Sequence, residues 1–292
     1  MFSPGVRYIL LSTVFFSIMN VCLKYLEHIP SVQIVWFRSL VTLLISIYFL
    51  RKNHLKPFGN NTWLLLARGA VGAVALLSYF YSLQHMPLAS AVTIQYLAPV
   101  FTVVLSVFIL KEPVKWVNWL VLGISLAGVF LIKGFDPRIS NYALGVGLLA
   151  AFSSGLAYNF VRKLKDHDDP LVIVFYFPLV TFPVVTPIMI GKWVPPTLYD
   201  LGLLLLVGIF TQFGQVYLTR AYMLEPASKI AGLSYAGLLF AMASGYFLFE
   251  EELGTMSVLG MMMIIGAVMF SIYIDQQKMK TTREANEQVG KT

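Results

Sequence analysis

The stretch Ile34–Thr42, IVWFRSLVT, returns 139 residues later as Ile173–Thr181, IVFYFPLVT. The same offset pairs Asn20 with Asn159, Lys24 with Lys163, Pro87 with Pro226 and Tyr96 with Tyr235. It also pairs Phe101 with Phe240 and Glu112 with Glu251. One gapless offset over that distance marks two copies of one unit rather than chance. Both copies are built from apolar runs of helix length. A duplicated chain of that kind is the pattern of a secondary transporter, with the substrate site between the halves.

Composition places the chain in a bilayer. Of its 292 residues 58% are hydrophobic and only 12% charged, with a mean hydropathy of +0.76. A soluble domain carries about a quarter charged residues, and this much apolar surface would aggregate in water. In lipid every backbone polar group must be satisfied internally, and strand alternation is absent, so the fold class is an all-α integral membrane protein. The net charge of +7 does not indicate nucleic acid, because the basic residues are scattered at helix ends instead of gathered in a patch. The single cysteine, Cys22, can form no internal disulfide and reads as a small core residue. The first apolar run has no small-residue cleavage site, so it reads as a helix and not a cleaved signal.

Runs of roughly 20 apolar residues suit a membrane-crossing helix. Ten are expected, at 6–26, 32–50, 63–84, 88–110, 115–132, 143–162, 171–190, 200–220, 226–248 and 254–274. Prolines at 30, 57, 87, 113, 137, 170, 195, 196 and 226 punctuate the breaks. The halves are then 1–138 and 139–275, with a polar cytoplasmic tail at 276–292. With the N-terminus inside, Arg7, Arg51, Lys52, Lys56, Lys111, Lys115, Arg162, Lys163, Lys165, Arg220, Lys229 and the tail cations face the cytoplasm. Only Lys24, Lys133, Arg138 and Lys192 fall outside. That asymmetry puts both termini in the cytoplasm. Five helices per half is an odd number, so the second repeat is inverted relative to the first, which suits alternating access.

The segment Met86–Pro113, MPLASAVTIQYLAPVFTVVLSVFILKEP, carries a family resemblance. So does its copy Glu225–Glu252, EPASKIAGLSYAGLLFAMASGYFLFEEE, which has Leu238 in place of Pro99. Together with Arg38 behind an aromatic pair, they resemble the drug/metabolite transporter superfamily, in its EamA-type branch. Ala67–Ala89, ARGAVGAVALLSYFYSLQHMPLA, is similar to the subset of solute-carrier-35G-type and S-adenosylmethionine-type carriers. The resemblance implies a ten-helix metabolite exporter of the cell inner membrane. It also implies that helices 5 and 10 stand apart while helices 1–4 and 6–9 line the cavity.

Arg38 is the sharpest candidate, because a charge inside a span costs several kcal/mol unless paired or hydrated. It is read as a fork for a substrate carboxylate or phosphate, or as a structural arginine held by carbonyls. Its repeat mate is Phe177, so symmetry does not demand it. Arg68 lies near the cytoplasmic start of the third span and is read as snorkelling to the interface or as an electropositive mouth. Asn20 and Lys24 share one helix face, as do Asn159 and Lys163. The asparagines are read as cavity residues or as bridges between helices, and the lysines as gate residues or as snorkelling to the interface. Gln95 and Tyr96 fall mid-membrane before Pro99, which removes a helix hydrogen bond and kinks the span. Gln212 and Gln215 form a polar stripe on the eighth span, and Tyr79 and Tyr235 complete the candidate substrate-binding set. Glu112 and Glu251 end their helices at the wrong end for a negative charge. They are therefore expected to bind a neighbouring helix N-terminus or a basic residue, as caps or gate latches. Small-residue pairs, Gly123 with Gly128 and Gly260 with Gly266, are expected at helix contacts.

A phosphate loop with its lysine is absent, which argues against an ATP-driven pump. The four histidines are isolated and lack metal-ligand spacing. No catalytic set or cofactor is expected. The expectation is a non-enzymatic carrier, monomer or homodimer, for an amino acid or amino-acid derivative. The alternatives are a nucleoside-containing solute such as S-adenosylmethionine, or a drug or lipid-linked sugar. An intramembrane lipid-processing enzyme would need an acid, base or metal cluster that the sequence does not show.

Overall fold

A computed structural model describes residues 3–111, 116–135, 137–225, 236–251, 254–256, 258–267, 269–270 and 273–274. Among these residues the protein is helical throughout, with no strand. The helices are α1 (Pro4–Lys24), α2 (Ser31–Lys52), α3 (Thr62–His85), α4 (Leu88–Gln95), α5 (Ala98–Ile109), α6 (Trp116–Phe135), α7 (Asn141–Leu164), α8 (Pro170–Ile190), α9 (Leu198–Leu224) and α10 (Ala236–Phe249). A further apolar helix runs through Val258–Ala267. Among the described residues seven helices are long and apolar enough to cross a membrane, counting α4 and α5 as one span, Leu88–Ile109. The start of the expected ninth span, Tyr235, Glu112 and the tail at 276–292 lie outside the described residues.

Local chemistry sets the helix ends. Pro4 and Pro170 occupy first-turn positions, where a missing N–H costs nothing. Asn61, Ser140 and Asp169 accept from first-turn amides of α3, α7 and α8. Thr197 and Asp200 form a reciprocal capping box at the start of α9. Lys111 and Glu250, which are repeat mates, both adopt positive φ, 55° and 52°, just after α5 and α10. That left-handed residue turns the chain away from each helix.

The fourth span is broken. α4 ends at Gln95, and α5 starts at Ala98 with Pro99 in its first turn. Pro99 has no N–H for the Gln95 carbonyl, so the ladder is interrupted at Tyr96–Leu97. Irregular backbone at that depth is tolerated only inside protein or along a cavity.

The helices pack in a pattern that follows the repeat. α1 lies along α9, α3 along α7, and α2 crosses α8. α5 packs on α7, and α10 packs on α1. Shifting by 139 residues turns the α1–α9 pair into α7–α3 and the α5–α7 pair into α10–α1, and maps α2–α8 onto itself. α6 meets the Val258–Ala267 helix at Gly128, where a Cβ would stand 2.7 Å from the Gly260 carbonyl oxygen. Gly123 and Gly266 have open space beside them, so only half of the small-residue expectation describes a helix contact. The outer faces carry exposed Leu44, Phe108, Ile188, Leu205 and Phe247. Such a belt is stable against lipid tails and not against water.

Candidate functional site

A cavity of about 160 Å³ lies between the halves. Among the described residues its walls come from α1, α2, α3, α4, α5, α7, α8, α9 and α10, with none from α6 or Val258–Ala267. Apolar walls are supplied by Ile9, Phe16, Leu76, Phe80, Val92 and Leu218. Polar groups converge from Ser12, Asn20, Tyr79, Gln95, Tyr96, Ser154, Tyr158, Gln215 and Tyr222. No aspartate or glutamate is among the lining residues described.

Two arginines dominate the cavity. Arg38 and Arg68 are each only 2% exposed. Phe177 lies between their demands, with its ring centre 4.8 Å from the Arg38 guanidinium carbon and 4.6 Å from that of Arg68. Phe80 is 5.9 Å from Arg38. Arg68 Nη2 donates to Gln215 Oε1 at 3.4 Å. Nε and Nη1 of both arginines have no hydrogen-bond partner among the described residues, and neither makes an ion pair there. A desolvated cation–π contact returns about 2 kcal/mol. Burying an ion costs several kcal/mol. The aromatic rings therefore hold the guanidiniums in place without neutralising them.

Gly72 makes the arrangement possible. A Cβ there would stand 2.9 Å from the Phe177 ring and 3.0 Å from Arg68 Nη1. Gly69, one turn earlier, lets α3 approach the Tyr176 carbonyl oxygen. The Arg68-Gly69 pair is thus a close α3–α8 contact. It does not sit at the interface, so the snorkelling expectation for Arg68 is overturned by burial against α8 and α9.

The remaining expected residues divide clearly. Tyr79 donates to Asn20 Oδ1 at 3.2 Å across the cavity wall. Gln95 Nε2 donates to Ser154 Oγ at 2.9 Å, where the fourth span breaks. Tyr96 reaches Gly237 of α10, whose missing side chain leaves room for the phenol. Pro99 also lines the cavity. Asn159 and Gln212 do not. Asn159 Nδ2 donates to the Thr102 and Gly155 carbonyls and ties α7 to α5. Gln212 Nε2 donates to Ser46 Oγ and ties α9 to α2. Tyr235 lies outside the described residues.

Lys24 and Glu251 meet at one end of the bundle. Lys24 Nζ is 2.5 Å from Glu27, 3.4 Å from Glu251 and 3.3 Å from the Met86 carbonyl oxygen. Glu251 accepts from the Leu88 amide at 2.8 Å and 2.9 Å. A carboxylate from the end of α10 thereby caps the N-terminus of α4, where the helix dipole favours it. Lys163, the repeat mate of Lys24, is exposed. Glu112, the mate of Glu251, lies outside the described residues.

Phe177, Tyr158, Tyr222, Ser12 and Ser154 were not singled out in the sequence. Their signal was positional: Gln215, Leu218 and Tyr222 share a face of α9, and Ser154 and Tyr158 share one of α7. Tyr158 and Tyr222 stack at 4.7 Å, at 20° between planes.

The EamA-like transporter family model matches residues 3–134 and again 141–273. The chain belongs to the EamA-like transporter family. A pseudopaline exporter of Pseudomonas aeruginosa is 34% identical over 267 residues, covering 90% of this chain and 94% of that protein. An S-adenosylmethionine uptake transporter of Rickettsia prowazekii is 29% identical over 290 residues, covering 96% of each. A protein of known crystal structure superposes with a TM-score of 0.69 over 95% of this chain and 99% of its own, at 14% identity, which speaks to fold alone. This is a multi-pass membrane transporter.

Proposed function

We propose that this transporter moves a small carboxylated metabolite, an amino acid or amino-acid derivative, by alternating access without ATP. One observation carries the reading: Arg38 is buried in the wall of the cavity with Nε and Nη1 unpartnered among the described residues. A planar guanidinium with donors left unpaired is the group that binds a carboxylate through two parallel hydrogen bonds. Asn20, Tyr79, Gln95, Tyr96 and Gln215 then orient the polar remainder, and Phe16, Leu76 and Phe80 take the apolar part. The pocket is mostly apolar with few convergent polar groups, as small-molecule sites are.

The architecture behind this reading is ten spans in two inverted five-helix repeats, in the cell inner membrane with both termini cytoplasmic. The double family match and the repeat-related helix pairing support it. Lys24 and Glu251 close the outer end in this conformation. Glu112 and Lys163 are their repeat mates at the inner end and latch when the cavity faces outward. Pro99 supplies the hinge.

A second reading, S-adenosylmethionine, is favoured by the relative that takes it up and by the Tyr158–Tyr222 stack beside the cavity. An adenine ring could extend that stack while Arg38 holds the carboxylate. Counterflow in proteoliposomes separates the readings. Vesicles loaded with unlabelled carboxylated amino-acid derivatives should take up labelled glutamate, aspartate or S-adenosylmethionine, and Arg38→Gln should abolish that uptake. Undiminished uptake by Arg38→Gln would show that Arg38 is structural.

A further inference from the structure

Arg38 alone would suit a single carboxylate, but the cavity holds a second guanidinium. Arg68 faces the same space from α3 and is buried to the same degree. Both guanidinium carbons sit against one ring, Phe177, so they are separated by less than twice 4.8 Å. In each, Nε and Nη1 are buried without a hydrogen-bond partner among the described residues. Among the described residues the side-chain acceptor that hydrogen-bonds a guanidinium, Gln215 Oε1, is neutral and engages Arg68 Nη2. No carboxylate is among the described lining residues.

We propose that Arg38 and Arg68 form a two-guanidinium receptor, and that the transported solute carries two negative charges spaced to meet them. The proposal rests on the cavity being the substrate site. A monocarboxylate would neutralise one guanidinium and leave the other buried and unpaired. A solute with two carboxylates places one against each guanidinium and offsets both buried charges. Charge-assisted pairs are the strong ones in a dry site. Phe177 fixes the spacing by stacking against both cations, and Gly72 admits Phe177 and Arg68 together. S-adenosylmethionine carries one carboxylate beside two cationic centres, so this receptor would disfavour it.

The test is thermal unfolding of the detergent-purified full chain with matched probes at constant ionic strength. The pairs are glutamate with glutamine, aspartate with asparagine, and glutarate with butyrate. S-adenosylmethionine is a separate arm. Two charge-assisted contacts against one predict half-saturation by the dianion at roughly tenfold lower concentration or better. Arg68→Gln should erase that gap, and Arg68→Lys should keep part of it. Wild-type behaviour across the pairs is informative even if a variant folds poorly. Equal stabilisation within each pair, or a gap that survives Arg68→Gln, would overturn the two-charge receptor while leaving the carboxylate reading standing. Stabilisation by S-adenosylmethionine alone would also overturn the receptor and favour the second reading. No stabilisation by any carboxylate would overturn both proposals.

Discussion

Arg38 is the residue on which the proposed carboxylate site turns, a buried charge in the wall of a largely apolar cavity. Replacing it by lysine keeps the charge but loses the planar fork and its stacking on Phe177, so the two are not interchangeable. Hydrogen bonds to charged groups contribute about 1.5–3 kcal/mol. Arg38→Lys should therefore weaken carboxylate binding by roughly ten- to a hundredfold, measured by titration of the purified protein. Gly72→Val makes a different prediction. Overpacking costs typically 1–3 kcal/mol, and here it would push on Phe177 and Arg68 together. Transport should fall sharply while surface expression and helix content hold. Arg38 was legible in the sequence because a charge deep in a span stands out. The sequence places Arg68 only near the start of its span, and the packing of α8 and α9 around it is a tertiary fact. Asn159 and Gln212 tie helices together instead of lining the cavity, and a buried amide looks the same in sequence whether it meets a solute or a neighbouring helix.

At the scale of the helices, two devices make separate predictions. The break at Tyr96–Leu97 depends on Pro99, and Pro99→Ala restores a donor to the Gln95 carbonyl. That substitution should straighten the fourth span, slow transport and raise the midpoint of thermal unfolding. Pro99 and the break were readable because proline removes a specific hydrogen bond. The ion pair of Lys24 and Glu251 is coupled to the N-terminus of α4 through the Leu88 amide. Lys24→Met and Glu251→Gln should each destabilise the closed end, and the double variant should cost less than the two added. Contacting charges usually show a coupling of about 0.5–3 kcal/mol, read from unfolding midpoints of the four proteins. Strict additivity would separate the pair. Glu251 was expected to seek a helix N-terminus from its unfavourable position alone. Which helix it caps could not be read from one dimension, because Leu88 is 163 residues away.

Over the whole molecule, the repeat was the most legible feature, since one offset fixed both halves. The structure adds the way the halves interlock: α1 with α9 and α3 with α7 are one contact seen twice. Sequence periodicity cannot give such pairings, because every span is apolar on more than one face. The cavity lies where the interlocked halves meet, and its charge is the property most open to experiment.

Thermal unfolding of the purified protein against anions, zwitterions, cations and nucleosides tests the central claim most directly. A ligand at 100 times its dissociation constant stabilises by about 2.7 kcal/mol. The account predicts that shift for carboxylate-bearing anions or zwitterions and its loss in Arg38→Gln. Stabilisation confined to cations or neutral lipophiles, unchanged in Arg38→Gln, would contradict it.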